Sequence, residues 1–173
     1  MRTAICPGSF DPVTLGHLDI IKRASRLFDR VVVLVVVNTS KTPAFTAEER
    51  ADMLRAVTAD MPNVCVDIYD GLLINYVRQH ENSVIVKGLR AMTDFEYEFQ
   101  MALINRQLLD TADTLFLTTS TEYLYLSSSA VKQIAAFGGD FSRFVPPEIH
   151  DRIRDRLCGG DAKNAGREPA NLI

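Results

Sequence analysis

Residues 31–37 read Val-Val-Val-Leu-Val-Val-Val, seven apolar residues in succession. A strand with this pattern has no face to give to water, so helices must cover it on both sides. That is the position of a central strand in a parallel sheet. A membrane span is excluded for this run, because crossing a bilayer takes about 20 apolar residues. The rest of the chain must therefore supply further strands alternating with helices that cross over between them.

The remaining sequence meets that demand. Arg2–Cys6, Val64–Ile68, Ser83–Lys87 and Thr114–Thr118 read as four more strands. Residues 15–28 place Leu18, Ile21, Ala24 and Phe28 near one helical face. Thr46-Ala-Glu-Glu49 is a capping box that opens a helix to about residue 60, with Pro62 just past its end. Residues 72–79 give a shorter helix. Thr93-Asp-Phe-Glu96 reads as a second capping box, and its helix runs to about residue 109. Asp94, Glu96 and Glu98 come early in it and Arg106 late, as the helix dipole prefers. Residues 129–137 and 147–157 complete the helices. The expected architecture is α/β: a Rossmann-like, doubly wound, five-stranded parallel sheet with helices on both faces. Residues 1–157 form one domain, and 158–173, poor in core residues, are expected to be a mobile tail.

Composition narrows the function. Hydrophobic residues make up 47% and charged residues 24% of the 173, which argues against disorder. A formal net charge of −3 disfavours general affinity for nucleic acid or an acidic membrane. An anionic ligand would need a few local cations and backbone N–H groups. Cys6, Cys65 and Cys158 are odd in number and lack metal-ligand spacing. With no signal peptide pattern after Met1, they lead to the expectation of a reducing, cytoplasmic setting.

Ligands of such folds gather at the carboxyl ends of the strands, and four of those ends carry suitable groups. After the first strand comes Gly8-Ser-Phe-Asp-Pro-Val-Thr-Leu-Gly-His17, longer than a plain strand-to-helix link of about two to six residues. His17 falls in the first helical turn, where free N–H groups and the dipole favour an anion. The spacing alone leaves open whether His17 binds phosphate or only backbone. The stretch has neither the Walker pattern nor G-x-G-x-x-G. Lys41 follows the valine strand, Lys87-Gly-Leu-Arg90 follows the fourth, and Ser127-Ser-Ser129 precedes a helix. No nucleophile–base arrangement is implied. His80 and His150 read as surface residues, and Glu96 and Glu98 as helix-start charges.

These stretches resemble the bacterial phosphopantetheine adenylyltransferase family, within the nucleotidyltransferases marked by T-x-G-H. Thr14-Leu-Gly-His17 matches that motif, which alone identifies only the superfamily. Gly88-Leu-Arg90 followed by Asp94-Phe-Glu-Tyr-Glu98 is more specific, and the likeness runs from residue 1 to about 157. The resemblance implies transfer of the adenylyl group of ATP to 4′-phosphopantetheine, with Mg²⁺, giving dephospho-coenzyme A and pyrophosphate. It also implies a homohexamer and feedback inhibition by coenzyme A.

Carried over position by position, the family pattern has His17 bind the ATP phosphates and stabilise the transition state. As prearranged donors and cations for charge growing at the α-phosphorus, His17, Lys41 and Arg90 are the expected catalytic set. ATP would meet Ser9, Phe10, His17, Gly88, Leu89, Arg90 and Glu98, together with Tyr123, Leu124, Tyr125, Leu126, Ser127, Ser128 and Ser129. Phosphopantetheine would meet Ser9, Lys41, Leu73 and Lys87. No protein side chain is assigned to the metal, which phosphates and water would hold. The chain departs from the family at Ser9, often Thr; at Lys87, often Arg, with loss of bidentate geometry; and at Cys6, often Tyr. Non-family readings are a sister enzyme with another acceptor or CTP, and a nucleotide sensor without turnover.

Overall fold

In the computed structural model, the described residues are 2–37, 42–90 and 92–159. Lys41 and the greater part of the expected tail lie outside them. Five strands, β1 (Thr3–Gly8), β2 (Arg30–Val36), β3 (Val64–Tyr69), β4 (Ser83–Leu89) and β5 (Thr114–Thr118), form one parallel sheet in the order β3-β2-β1-β4-β5. The helices are α1 (Leu15–Leu27), α2 (Ala47–Val57), α3 (Leu73–Arg78), α4 (Met92–Leu108), α5 (Ser128–Ala136) and α6 (Pro147–Cys158). The expected architecture is the observed one.

The valine strand behaves as its composition requires. Val31, Val33 and Val35 join Ile21, Ala24, Leu54 and Ile153 in the core on one face of the sheet. Val32 and Leu34 face the other way, against Ile5, Ile74, Val77 and Ile85. All five of these β2 residues are at most 1% exposed. Alternate side chains of one strand thus enter two separate cores, which is what a doubly covered sheet needs.

The strand order changes direction between β1 and β4, and such a switch point is where an α/β sheet opens a crevice. The pairing shows the opening directly. β1 stays in register with β2 from Thr3 to Gly8, but pairs with β4 only from Thr3 to Ile5. Pro7 has no N–H with which to continue a ladder, and Lys87 Nζ sits 3.5 Å from its carbonyl oxygen in the gap. Both strands run further than the sequence suggests, β1 through Gly8 and β4 through Leu89. Lys87 and Gly88 therefore belong to the strand itself. Gly88 is needed there, because a Cβ would stand 2.8 Å from Ile20 Cγ1 of α1.

One helix boundary is corrected. The Thr46 capping box is present, with Thr46 and Glu49 each bonding the other's backbone. At the second, α4 begins at Met92, one residue before Thr93, so the helix starts earlier than the spelling suggests. Asp94 is committed to Arg90, with Oδ2 2.8 Å from Nε and Oδ1 3.2 Å from the terminal nitrogen.

Candidate active site

The crevice beyond β1 and β4 is a cleft of about 510 Å³. Ser9, Phe10, His17, Lys87, Gly88, Arg90, Glu98 and Leu126–Ser129 all line it, joined by Cys6, Thr14, Asp94, Tyr97 and Thr119. A second cavity of about 300 Å³ adjoins it and shares Pro7, Gly8, Ser9, Lys87, Tyr97 and Glu98. Its remaining lining is mostly apolar, including Val36, Leu72, Leu73, Met101 and Ala102. Leu89, Tyr123, Leu124 and Tyr125 lie outside both linings. Tyr125 is exposed, Tyr123 packs on the core, and the Leu89 carbonyl accepts from Thr119 N–H.

His17 is held by its own helix cap. Thr14 N–H donates to His17 Nδ1 at 3.1 Å, and Thr14 Oγ1 lies 3.1 Å from the same nitrogen. In return, His17 N–H donates to Thr14 Oγ1 at 3.4 Å. This is a capping box with His in the place usually taken by Glu or Gln. A ring nitrogen that accepts a backbone N–H carries no proton, so the proton sits on Nε2, which is free to donate to a ligand. Burial pushes the His17 pKa down to about 4, and the nearby Arg90 and Lys87 cations add to the shift. His17 is therefore a fixed neutral donor, not a cation. Phe10 buttresses it, with ring centroids 5.0 Å apart and edge-to-face. Phe10 holds φ at 50°, a left-handed conformation that costs a non-glycine residue about 1–2 kcal/mol.

The charged groups sit opposite. Lys87 Nζ is 3.0 Å from Glu98 Oε1, and Arg90 is forked onto Asp94 while its third nitrogen donates to the Leu126 carbonyl at 2.8 Å. Glu98 is thus the partner of the Lys87 cation in the cleft, more than a helix-start charge. Two of the three serines have structural work: Ser127 caps α5 through Ala130 N–H, and Ser128 donates to the Pro12 carbonyl at 2.7 Å. Ser129 is exposed at the cleft.

Cys6 lines the cleft as an apolar group, since burial pushes its thiol up to about 12 against the opposing pull of Lys87. Neither His80 nor His150 is a bare surface residue. His80 stacks on Tyr76 at 4.3 Å and His150 lies against Phe141 at 5.2 Å, both half-buried and away from the cleft.

Sequence reasoning missed several residues. Asp94 read as one more helix-start charge, which hid its pairing with Arg90. Asn105, only 6% exposed, lines the second cavity with no side-chain hydrogen bond among the described residues. A polar residue in the middle of an apolar helical stretch was the available signal. Tyr97 gave none.

A parallel sheet open at its switch point, with a capped neutral His and two cations around one crevice, defines a nucleotide-handling α/β domain. A family profile described as cytidylyltransferase-like matches residues 5–134. Proteins named phosphopantetheine adenylyltransferase match nearly end to end. The one from Caldanaerobacter subterraneus subsp. tengcongensis is 54% identical over 157 residues, 91% of this chain and 98% of its own. That from Lachnoclostridium phytofermentans is 52% identical over 159 residues, covering 92% and 98%. The chain belongs to the phosphopantetheine adenylyltransferase family. In fold alone it is also similar to a solved Vibrio parahaemolyticus protein assigned as a nicotinate-nucleotide adenylyltransferase. That likeness has a TM-score of 0.68 at 17% identity, over 91% of this chain and 96% of that one.

Proposed function

We propose that the chain transfers the adenylyl group of ATP to 4′-phosphopantetheine, giving dephospho-coenzyme A and pyrophosphate. The observation that carries this reading is the pair of joined cavities, one polar with phosphate donors and one mainly apolar, meeting at Ser9 and Lys87. ATP suits the first. A phosphorylated, amide-bearing apolar arm suits the second, with Leu73 along the arm, Asn105 available to its amides and Lys87 at its phosphate.

In the reaction, an oxygen of the acceptor phosphate attacks the α-phosphorus of ATP and the bond to the β-phosphate oxygen breaks. The nucleophile is already an anion, so no general base is required. What remains is to hold two mutually repelling anions in line, which can supply about 7–11 kcal/mol, and to stabilise charge growing on the α-phosphate. His17 Nε2–H and Arg90 serve that second purpose, each well-placed donor contributing roughly 3–4 kcal/mol. Lys41, which the family resemblance places at phosphopantetheine, would add its charge to the same role.

Magnesium is expected with ATP. The described residues show no group of three His, Cys, Asp or Glu side chains placed to hold a metal ion, and Asp94 and Glu98 are engaged by cations. The ion would be carried on phosphate oxygens and water, where it would neutralise charge. Coenzyme A, which joins the arm to an adenine nucleotide, would span both cavities and inhibit by occupying them. The proposed assembly is a homohexamer in the cytoplasm. Supporting self-association, α4 exposes Tyr97, Phe99, Leu103, Ile104 and Leu108 beside Leu115 of β5. No helix among the described residues is long and apolar enough to cross a membrane.

The test is pyrophosphate release from ATP or CTP with phosphopantetheine or nicotinate mononucleotide as acceptor. Release with ATP and phosphopantetheine alone is the expected result. Release only with another pair, or ATP binding without turnover under any pair, overturns the reading.

A further inference from the structure

Asp11 is a buried charge that the chemistry above does not use. It is only 6% exposed and lines neither cavity, yet its carboxylate makes four contacts with elements distant in sequence. Ala44 N–H donates to both of its oxygens, at 3.0 and 3.1 Å, and Phe45 N–H donates to Oδ1 at 3.0 Å. Lys132 Nζ of α5 lies 2.7 Å from Oδ2. Burial alone would raise the carboxyl pKa, but the Lys132 and backbone N–H bonds outweigh it and hold the group below its ordinary value. A charge taken out of water costs several kcal/mol unless its partners are well placed. Here the partners come from the lead-in to α2 and from α5, whose first turn lines the cleft.

With the loop leading to His17, which carries Asp11, they make three segments. Two more bonds run along the same seam. Arg50 of α2, 3% exposed, donates to the Ser9 carbonyl at 2.6 Å, and Ser128 of α5 donates to the Pro12 carbonyl. On the outer side, the Arg156 guanidinium lies over the Phe45 ring at 5.3 Å and donates to the Ala44 carbonyl at 2.9 Å. The peptide at Ala44 is thus gripped at its N–H by Asp11 and at its carbonyl by Arg156.

We propose that Asp11, held by Lys132, is a positioning residue that locks the Ser9–His17 loop, the start of α2 and the first turn of α5 into one register. The cleft then presents Ser9, Phe10, His17 and Ser127–Ser129 in fixed relation without rearrangement on binding. Misplacement of reacting groups by about 1 Å costs on the order of a hundredfold in rate. The effect therefore falls on kcat more than on binding in the second cavity, which takes only Ser9 from the locked segments. This inference rests on the adenylyl-transfer reading for its rate measurement.

The experiment compares Asp11→Asn, Lys132→Met, Lys132→Arg and the Asp11→Asn/Lys132→Met double variant in the full chain. Measured for each are kcat, KM for phosphopantetheine, and hydrogen exchange of the Ala44 and Phe45 amides. Asp11→Asn and Lys132→Met should each lower kcat about tenfold or more, with that KM changed less than about threefold. The double variant should be no worse than the worse single, because the two act as one unit. Lys132→Arg should recover most of the activity, and the two amides should lose protection in Asp11→Asn. If Asp11→Asn does not fold, the contrast of Lys132→Met with Lys132→Arg decides. Folded variants with near-normal kcat, single effects that multiply, or unchanged amide protection overturn the proposal. A wild-type chain that releases no pyrophosphate defeats the adenylyl-transfer reading instead, and amide exchange still judges the Asp11 tie on its own.

Discussion

On the α1 side of the cleft, Thr14 fixes the His17 ring while Arg50, Ser128 and Lys132 reach in from other elements to fasten the loop before it. On the α4 side, Lys87 and Arg90 are held by Glu98 and Asp94 of a helix whose outer face is bare apolar surface. The first wall orients a neutral donor by short-range hydrogen bonds among the protein's own groups. The second keeps cations in charge-compensated pairs, from which the proposed reaction has a phosphate recruit them. One wall supplies geometry and the other supplies charge. A site for two anions needs both, because charge without geometry binds without reacting.

The largest test of this contrast is on the fixed wall. His17→Ala should lower kcat by at least about a hundredfold with the fold intact, as loss of a prearranged donor does. Circular dichroism and steady-state turnover check it, and near-normal turnover would remove His17 from the chemistry. On the charged wall, Lys87→Ala should raise KM for phosphopantetheine about tenfold, the scale of a lost hydrogen bond to a charged group. Its kcat should move far less. A kcat loss matching that of His17→Ala would erase the distinction between the walls.

The smallest effect is on stability against pH. His17 has a folded pKa of about 4 against an ordinary value of 6.5. As pH falls through that window, the unfolded chain takes up a proton that the folded chain refuses, so stability declines; above 6.5 this group contributes no slope. Asp11 acts lower. Its depressed carboxyl adds stability above its ordinary 3.8, lost as pH falls below that value. Urea midpoints between 6.5 and 4 should drop more for the wild type than for His17→Gln. Equal slopes would mean that His17 is solvated and protonates freely.

Much of this was legible in the chain. Seven unbroken apolar residues called for a doubly covered strand, and β2 is one. The Thr46 box, spelled by residues three apart, is local and was readable. The same spelling at Thr93 misled about where the helix begins, and no local pattern shows that Asp94 pairs with Arg90. Ser127–Ser129 offered hydroxyls to an anion, with a helix cap to account for one of them; one does cap its helix, and another crosses to Pro12. That second bond joins residues 116 apart, a separation no local pattern encodes.

By itself, the sequence determined the alternation of strands and helices, the crevice-bearing topology and the residue types on its rim. Periodicity and capping act within a few residues, so the linear order carries them. Only the tertiary structure decided that His17 is a neutral donor with its free proton on Nε2, that Lys87 and Arg90 wait in ion pairs, and that Asp11 gathers three segments. Protonation and pairing depend on burial and on neighbours brought close by folding, and distance in space is not written in distance along the chain.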